Sequence, residues 1–167
     1  VPVEIDPRVG EIPTPAAIFG GNRSNAKGLD ITDPVTLAAI EKERQKFTGT
    51  DHWQAKPLTR AAGKGKARPV NNPARPSEVV GSVTEATAEQ AAKAVGMAVE
   101  AQPGWARTPV AERAAILRCA ADLYEKHAVE FFALCTREAG KVLADGVAEV
   151  REAVDFLRYY AAQAMRD

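Results

Sequence analysis

The apolar residues of this chain change rhythm near residue 84. Downstream they recur at the three- and four-residue spacing of amphipathic helices; upstream no helical period is long sustained. Ala91, Ala94, Val95, Ala98 and Val99 predict one helix. It opens at a capping box, in which the Thr87 hydroxyl and the Gln90 amide satisfy free backbone donors, and it ends before Pro103-Gly104-Trp105. Thr108-Pro109 predicts a second start, a hydroxyl cap followed by proline at the first helical position. Ile116, Leu117, Ala120, Leu123 and Tyr124 then make a stripe to about Lys126. A third helix is predicted over Val129 to Thr136, carrying Phe131, Phe132 and Leu134 and stopping at Ala139-Gly140. The last runs from about Ala144, with Val147, Val150, Val154, Leu157 and Ala161 on one face and Phe156 and Tyr160 beside it.

The upstream part is punctuated rather than periodic. Eight of the eleven prolines precede residue 74, so residues 1 to 32 are expected to be extended, loop-like or wrapped on another surface, a linker being the simplest case. A short helix is predicted from Asp33, whose carboxylate can cap it, with Pro34 at its first position and Leu37, Ile40 and Phe47 as a weak stripe. Residues 49 to 66 read as turn chemistry, with Trp53 anchoring a loop. Ala67 to Val70 and Val79 to Val83 predict two short strands around the turning segment Asn71-Asn72-Pro73-Ala74-Arg75-Pro76.

The 167 residues, 46% hydrophobic and 26% charged, suit one ordinary globular domain able to bury roughly 70% of its unfolded surface. Lys+Arg and Asp+Glu both number 22, and this balance argues against nucleic-acid binding. The basic run Lys64, Lys66 and Arg68 reads as a solvated loop. Two cysteines make no disulfide framework, and Val1-Pro2-Val3-Glu4 does not begin a signal peptide. A cytoplasmic location is therefore expected. The start on Val1 and the break-off in full helical stride at Arg166-Asp167 predict a piece of a longer chain, only marginally stable alone.

Chemistry-bearing residues are sparse. His52 and His127 lie far apart, metal-ligand spacing is missing, and there is no GxSxG, GxGxxG or P-loop. Cys119 and Cys135 sit among core-type residues and read as buried, inert thiols. Asp145, Glu149, Glu152 and Asp155 share one side of the last helix, where Arg151 can pair with Asp155. Spacing makes this a solvated acidic face and assigns none of these carboxylates a catalytic role.

From Pro69 onward a series of short motifs resembles the aldehyde dehydrogenase superfamily. They are Asn72-Pro73-Ala74, Val79-Val80-Gly81-Ser82-Val83, a helix ending in Trp105, Glu112-Arg113-Ala114-Ala115-Ile116-Leu117, Arg137-Glu138-Ala139-Gly140-Lys141 and Phe156-Leu157-Arg158-Tyr159-Tyr160-Ala161. Within it, the stretch from Arg151 to Ala161 looks most like the glutamate-semialdehyde (pyrroline-5-carboxylate) dehydrogenases. Asn22-Arg23-Ser24-Asn25-Ala26-Lys27-Gly28-Leu29-Asp30 is similar to the segment that joins the two enzymes of the bifunctional proline utilization A family. Val142 departs from the threonine of many relatives, a change expected to touch packing.

The resemblance implies an α/β parent with a Rossmann-type NAD-binding domain, of which this chain is a mainly α portion with a short strand pair. Residues 1–66 would be a leader with one short helix, and residues 67–167 an incomplete NAD-binding domain. The parent would oxidise glutamate semialdehyde to glutamate with NAD through a cysteine nucleophile, and would use FAD in a proline dehydrogenase half. Nucleophile, general base and dinucleotide loops all fall downstream, so this segment is expected to be inactive and to bind no cofactor alone. Only Glu152 inherits a role, at the substrate tunnel near the amino-acid end of the substrate. The expected partners are the rest of the polypeptide and a small-molecule substrate, in a parent that forms a homo-oligomer and can be peripheral to a membrane. The alternatives are a free-standing helical interaction module and part of a monofunctional aldehyde dehydrogenase.

Overall fold

The computed structural model describes residues 17–49, 53–60 and 65–166. Residues 1 to 16, His52 and Lys64 lie outside the described residues. Five α-helices, a single 3-10 turn (Gln45–Phe47) and a small three-stranded sheet are present among them: α1 (Pro34–Arg44), β1 (Trp53–Ala55), β2 (Ala67–Asn72), β3 (Arg75–Thr84), α2 (Ala88–Arg107), α3 (Val110–Lys126), α4 (Ala128–Ala139) and α5 (Leu143–Ala164).

Local caps fix several boundaries where expected. Asp33 accepts hydrogen bonds from the Val35 and Thr36 N–H groups at the start of α1, and Pro34 follows. The Thr87/Gln90 capping box opens α2. Gly140 closes α4 in the left-handed conformation at φ 69°, where a side chain would be strained.

Other expectations need correction. α2 continues through Pro103 to Arg107, because one proline near the last turn removes a single N–H without stopping the residues beyond it. Thr108 then ends α2: its hydroxyl donates back to the Gly104 carbonyl at 3.4 Å, while Pro109 sits in the N-cap position of α3. The buried face of α3 is centred on Ala114 and Ala121, leaving Ile116 and Leu123 exposed. Its stripe of apolar residues fits two helical faces, and the small-residue face is the one that lets α5 approach closely. Residues 53 to 55 are a strand rather than loop chemistry, so the predicted pair is a three-stranded sheet of order β1-β3-β2.

β1 runs parallel to β3 with Trp53 opposite Gly81, and β2 runs antiparallel to it. The hairpin turns on Pro73-Ala74, with the Asn72 side-chain oxygen accepting the Ala74 N–H at 2.9 Å. Gly81 admits β1: a Cβ at that position would stand 2.0 Å from the Trp53 carbonyl oxygen.

The core forms where α5 lies across α3 and α4. Val147, Val150, Val154 and Ala161 of α5 are buried as predicted, against Phe132 of α4 and Ala121 of α3. Gly146 allows this crossing, since a Cβ there would meet the Phe132 backbone at 3.4 Å. Ile40 of α1 and Ala26 of the leader complete the same cluster. By contrast, α2 buries none of its residues, and Val95, Val99 and Trp105 are exposed.

A second centre is polar. Arg137 of α4 is only 8% exposed. Its Nε and Nη2 donate to Glu78 Oε1 at 3.1 and 2.6 Å, and its Nη1 donates to the Phe47 carbonyl at 2.6 Å. The guanidinium also lies 5.5 Å from the centre of the Trp53 ring, whose Nε1 donates to Glu130 Oε1. Asn72 donates to the other Glu78 oxygen at 3.2 Å.

Two substitutions test this packing. Gly81→Ala must move β1 off β3, at a cost of about 2 kcal/mol by the usual scale of overpacking, measured by denaturant unfolding. Val142 occupies the N-cap of α5 with no side-chain hydrogen bond, so its departure from threonine bears on capping rather than packing. Val142→Thr should therefore raise stability by about 0.5–1 kcal/mol in the same assay.

Candidate functional site

The candidate site is built on the outer face of α5. Glu152 is exposed there, three residues before Asp155 and four before Phe156, which places the three on one side of the helix. With Tyr159 and Arg23 of the leader they line one groove of about 360 Å³. Phe156 stacks on Tyr160, and Tyr159 meets Tyr160 edge-on at 5.2 Å between ring centres. The groove thus has aromatic walls, one carboxylate exposed on its rim, and one guanidinium.

The leader supplies that guanidinium because residues 23 to 27 lie against α5 and α3. Of the conformations left open by its sequence, this stretch takes the wrapped one. Asp155 Oδ1 accepts the Ala26 N–H at 2.8 Å, and Glu125 Oε1 accepts the Lys27 N–H at 2.8 Å. Arg158 Nη1 donates to the Asn25 carbonyl at 3.1 Å, while its two Nη groups reach Glu125 and Asp122 at 2.9–3.1 Å. A stretch without strand partners still needs its backbone polar groups satisfied, and side chains of α3 and α5 do this. Asp155 is therefore spent on the leader, and among the described residues it forms no ion pair with Arg151. Arg23 lies 3.9 Å from the Phe19 ring centre and 5.3 Å from that of Tyr159, and its Nη1 donates to the Asp155 carbonyl at 3.3 Å.

The remaining sequence candidates fall elsewhere. Cys119, expected to be buried, is exposed on α3 because the helix turns its small-residue face inward instead. Cys135 is half-buried, and burial pushes its thiol up from the ordinary range, which disfavours the thiolate. Neither lines the groove. His127 ends α3 beside Glu130 at 3.8 Å, and no metal-binding cluster occurs among the described residues. In the polar pocket around Arg137, Glu78 and Asn72, Arg137 and Glu78 are paired with each other and read as structural. Sequence reasoning missed both Arg137 and Arg23; the helical offset of Arg137 from the core residue Ala133 was a usable signal, whereas nothing local marks Arg23.

The described residues do not form a dinucleotide cradle. Such a site needs a glycine-rich turn from a strand into a helix within a right-handed βαβ unit. Here β3 passes to α2 through Glu85-Ala86-Thr87, and the parallel pair β1–β3 is joined through β2 rather than through a helix. No helix among the described residues is long and apolar enough to cross a membrane.

The Aldehyde dehydrogenase family model matches residues 60–167. The bifunctional protein PutA of Escherichia coli is 42% identical over 158 residues, 94% of this chain and 12% of its own length. A 1-pyrroline-5-carboxylate dehydrogenase of Bacillus licheniformis is 37% identical over 142 residues, 78% of this chain and 27% of its own length. Among solved structures, a bifunctional proline utilization A matches with TM-score 0.68 and 35% identity over 92% of this chain and 13% of that one. A mutant of Thermus thermophilus 1-pyrroline-5-carboxylate dehydrogenase matches with TM-score 0.74 and 26% identity over 84% of this chain and 28% of its own. The chain thus spans well under a third of each of these relatives.

The leader's seating predicts a pH dependence. Burial alone would raise the Glu125 carboxyl, but hydrogen bonds from Arg158 and the Lys27 N–H outweigh it and hold it below its ordinary value. A carboxyl lowered in the folded state stabilises fully above its unfolded value, about 4.3, and that contribution is lost as pH falls through the folded value. Amide-exchange protection at Ala26 and Lys27 should therefore fall below about pH 4 while Val150 and Val154 keep theirs; simultaneous loss would show that the leader is not separately held.

Proposed function

The chain belongs to the aldehyde dehydrogenase family, and from that premise we propose that it forms the start of the glutamate-semialdehyde dehydrogenase module of a bifunctional proline-catabolic enzyme. In this reading residues 67–167 open the NAD-binding domain, and residues 1–66 lead into it from a proline dehydrogenase half. The likeness to the bifunctional relatives includes most of the leader, which favours that origin over a monofunctional dehydrogenase. Family membership removes the free-standing helical module. The exposed apolar residues of α2 then face further parts of the same polypeptide.

The module would oxidise glutamate semialdehyde to glutamate with NAD as hydride acceptor, while FAD would serve the proline dehydrogenase half. In this reading the described residues serve as scaffold and as wall of the substrate passage. The observation that carries the assignment to substrate is the exposure of Glu152 in the groove on α5. Its carboxylate would attract the α-ammonium of the substrate, a charge-assisted contact that a plain aldehyde cannot make. The parent is proposed to be a cytoplasmic homo-oligomer.

Glu152→Ala in the full-length enzyme should raise KM for glutamate semialdehyde about tenfold, the scale of one charge-assisted contact, with KM for propanal unmoved. An unchanged ratio of the two KM values would falsify the assignment of Glu152.

A further inference from the structure

Beneath the leader the apolar core is not filled. A cavity of about 190 Å³ lies between the leader, α1, α4 and α5, with Ile40, Val129, Phe132, Val147, Val150 and Val154 among its walls. Phe132 and Val154 are fully buried and close its floor. The mouth is charged: Lys27 and Arg151 border the cavity and are exposed. Among the described residues neither of these two side chains makes a hydrogen bond or an ion pair. Glu125 borders the cavity too, but its oxygens accept from Arg158 at 2.9–3.1 Å and Oε1 also accepts the Lys27 N–H. Asp155, one turn beyond Arg151, accepts the Ala26 N–H. Two cations thus stand unanswered at the opening of an apolar hollow.

We infer that this cavity is a binding site for a short-chain monocarboxylate, with the hydrocarbon tail among the valines and Phe132 and the carboxylate between Lys27 and Arg151. Size sets the tail. An apolar hollow of about 150 Å³ stays dry and admits benzene, so this one takes a chain of roughly six carbons. Protein interiors are close-packed, and walls facing an empty space lack contacts that a tail restores. Charge sets the head. A neutral amphiphile leaves both cations unanswered, and an ammonium head is repelled by them. The cavity lies against the buried face of α5 and shares no lining residue with the groove of Glu152, so this ligand is not the substrate of the proposed reaction. Ala26 and Lys27 of the leader form part of its wall, and a bound ligand holds them more firmly against the helices.

Four probes separate tail from head: hexanoate has both, hexan-1-ol the tail alone, hexylammonium the tail with the opposite charge, and acetate the head alone. Their binding to the full-length enzyme is measured by isothermal titration calorimetry. Hexanoate should bind about tenfold tighter than hexan-1-ol, with hexylammonium weaker still and acetate giving no heat of binding over the same range. Arg151→Gln, at an exposed position, should weaken hexanoate about tenfold and leave hexan-1-ol unmoved. Val150→Leu, which fills part of the hollow, should weaken hexanoate and hexan-1-ol alike. Glu152→Gln should leave all four probes as they are. A hexanoate affinity that follows Glu152 rather than Arg151 places the ligand in the other groove and overturns the inference. Equal affinity for hexanoate and hexylammonium, unchanged hexanoate affinity in Arg151→Gln, or no binding of hexanoate overturns it as well.

Discussion

A buried guanidinium needs every partner it can find, and the position of Arg137 imposes that need on three parts of the chain at once. Removing a charge from water costs several kcal/mol unless ion pairing and hydrogen bonds replace the hydration. Here Glu78 comes from β3, the Phe47 carbonyl from the turn after α1, and the Trp53 ring from β1. Asn72 holds the second Glu78 oxygen and also closes the hairpin through the Ala74 N–H, so the sheet's register and the pose of α4 are set together. With α4 in place, Phe132 lies close to Gly146 and shares the apolar cluster with Val147 of α5. The groove on the outer face of α5 takes its place from this sequence of constraints, although none of its residues touches Arg137.

The leader is fixed by a different arrangement. Of residues 23 to 27 only Ala26 is buried in the apolar cluster, too little surface to hold an extended segment by the hydrophobic effect. Its backbone groups are held instead by Asp155, Glu125 and Arg158, whose side chains span the seam between α3 and α5. The same residues thus link the two helices to each other and the leader to both. Arg158 is central, because its fork meets Glu125 and Asp122 while still reaching the Asn25 carbonyl.

What could be read from the sequence follows from how local each cause is. The Asp33 cap, the Thr87/Gln90 box and the Gly140 stop involve residues within one turn, and the five apolar positions of α5 repeat often enough to define one face. The strand at Trp53–Ala55 was invisible because three residues show no alternation; it exists through Gly81, nearly thirty residues away. The buried face of α3 is not the one its pattern suggests, because larger residues, Ile116 and Leu123, outweigh Ala114 and Ala121 in the pattern, whereas close approach of α5 favours the small ones. That same rotation exposes Cys119. For the site, periodicity gave only four acidic residues on one side of a helix. Family resemblance singles out Glu152, and the structure adds that Asp155 accepts the Ala26 N–H whereas no hydrogen bond holds Glu152 among the described residues.

That difference between two carboxylates on one helix bears on which of them can answer a ligand. An acid already bonded to a backbone N–H is poorly placed to answer a ligand, since it must first give up a contact that holds the leader. An acid exposed at the rim gives up only water. The thiols offer no comparable opening, because burial disfavours ionisation of Cys135 and neither cysteine lines the groove. Under the proposed function, what the described residues would contribute is recognition rather than bond-making chemistry. In that reading a covalent step would fall to residues elsewhere in the proposed parent, which the substrate would reach already oriented by its charged end.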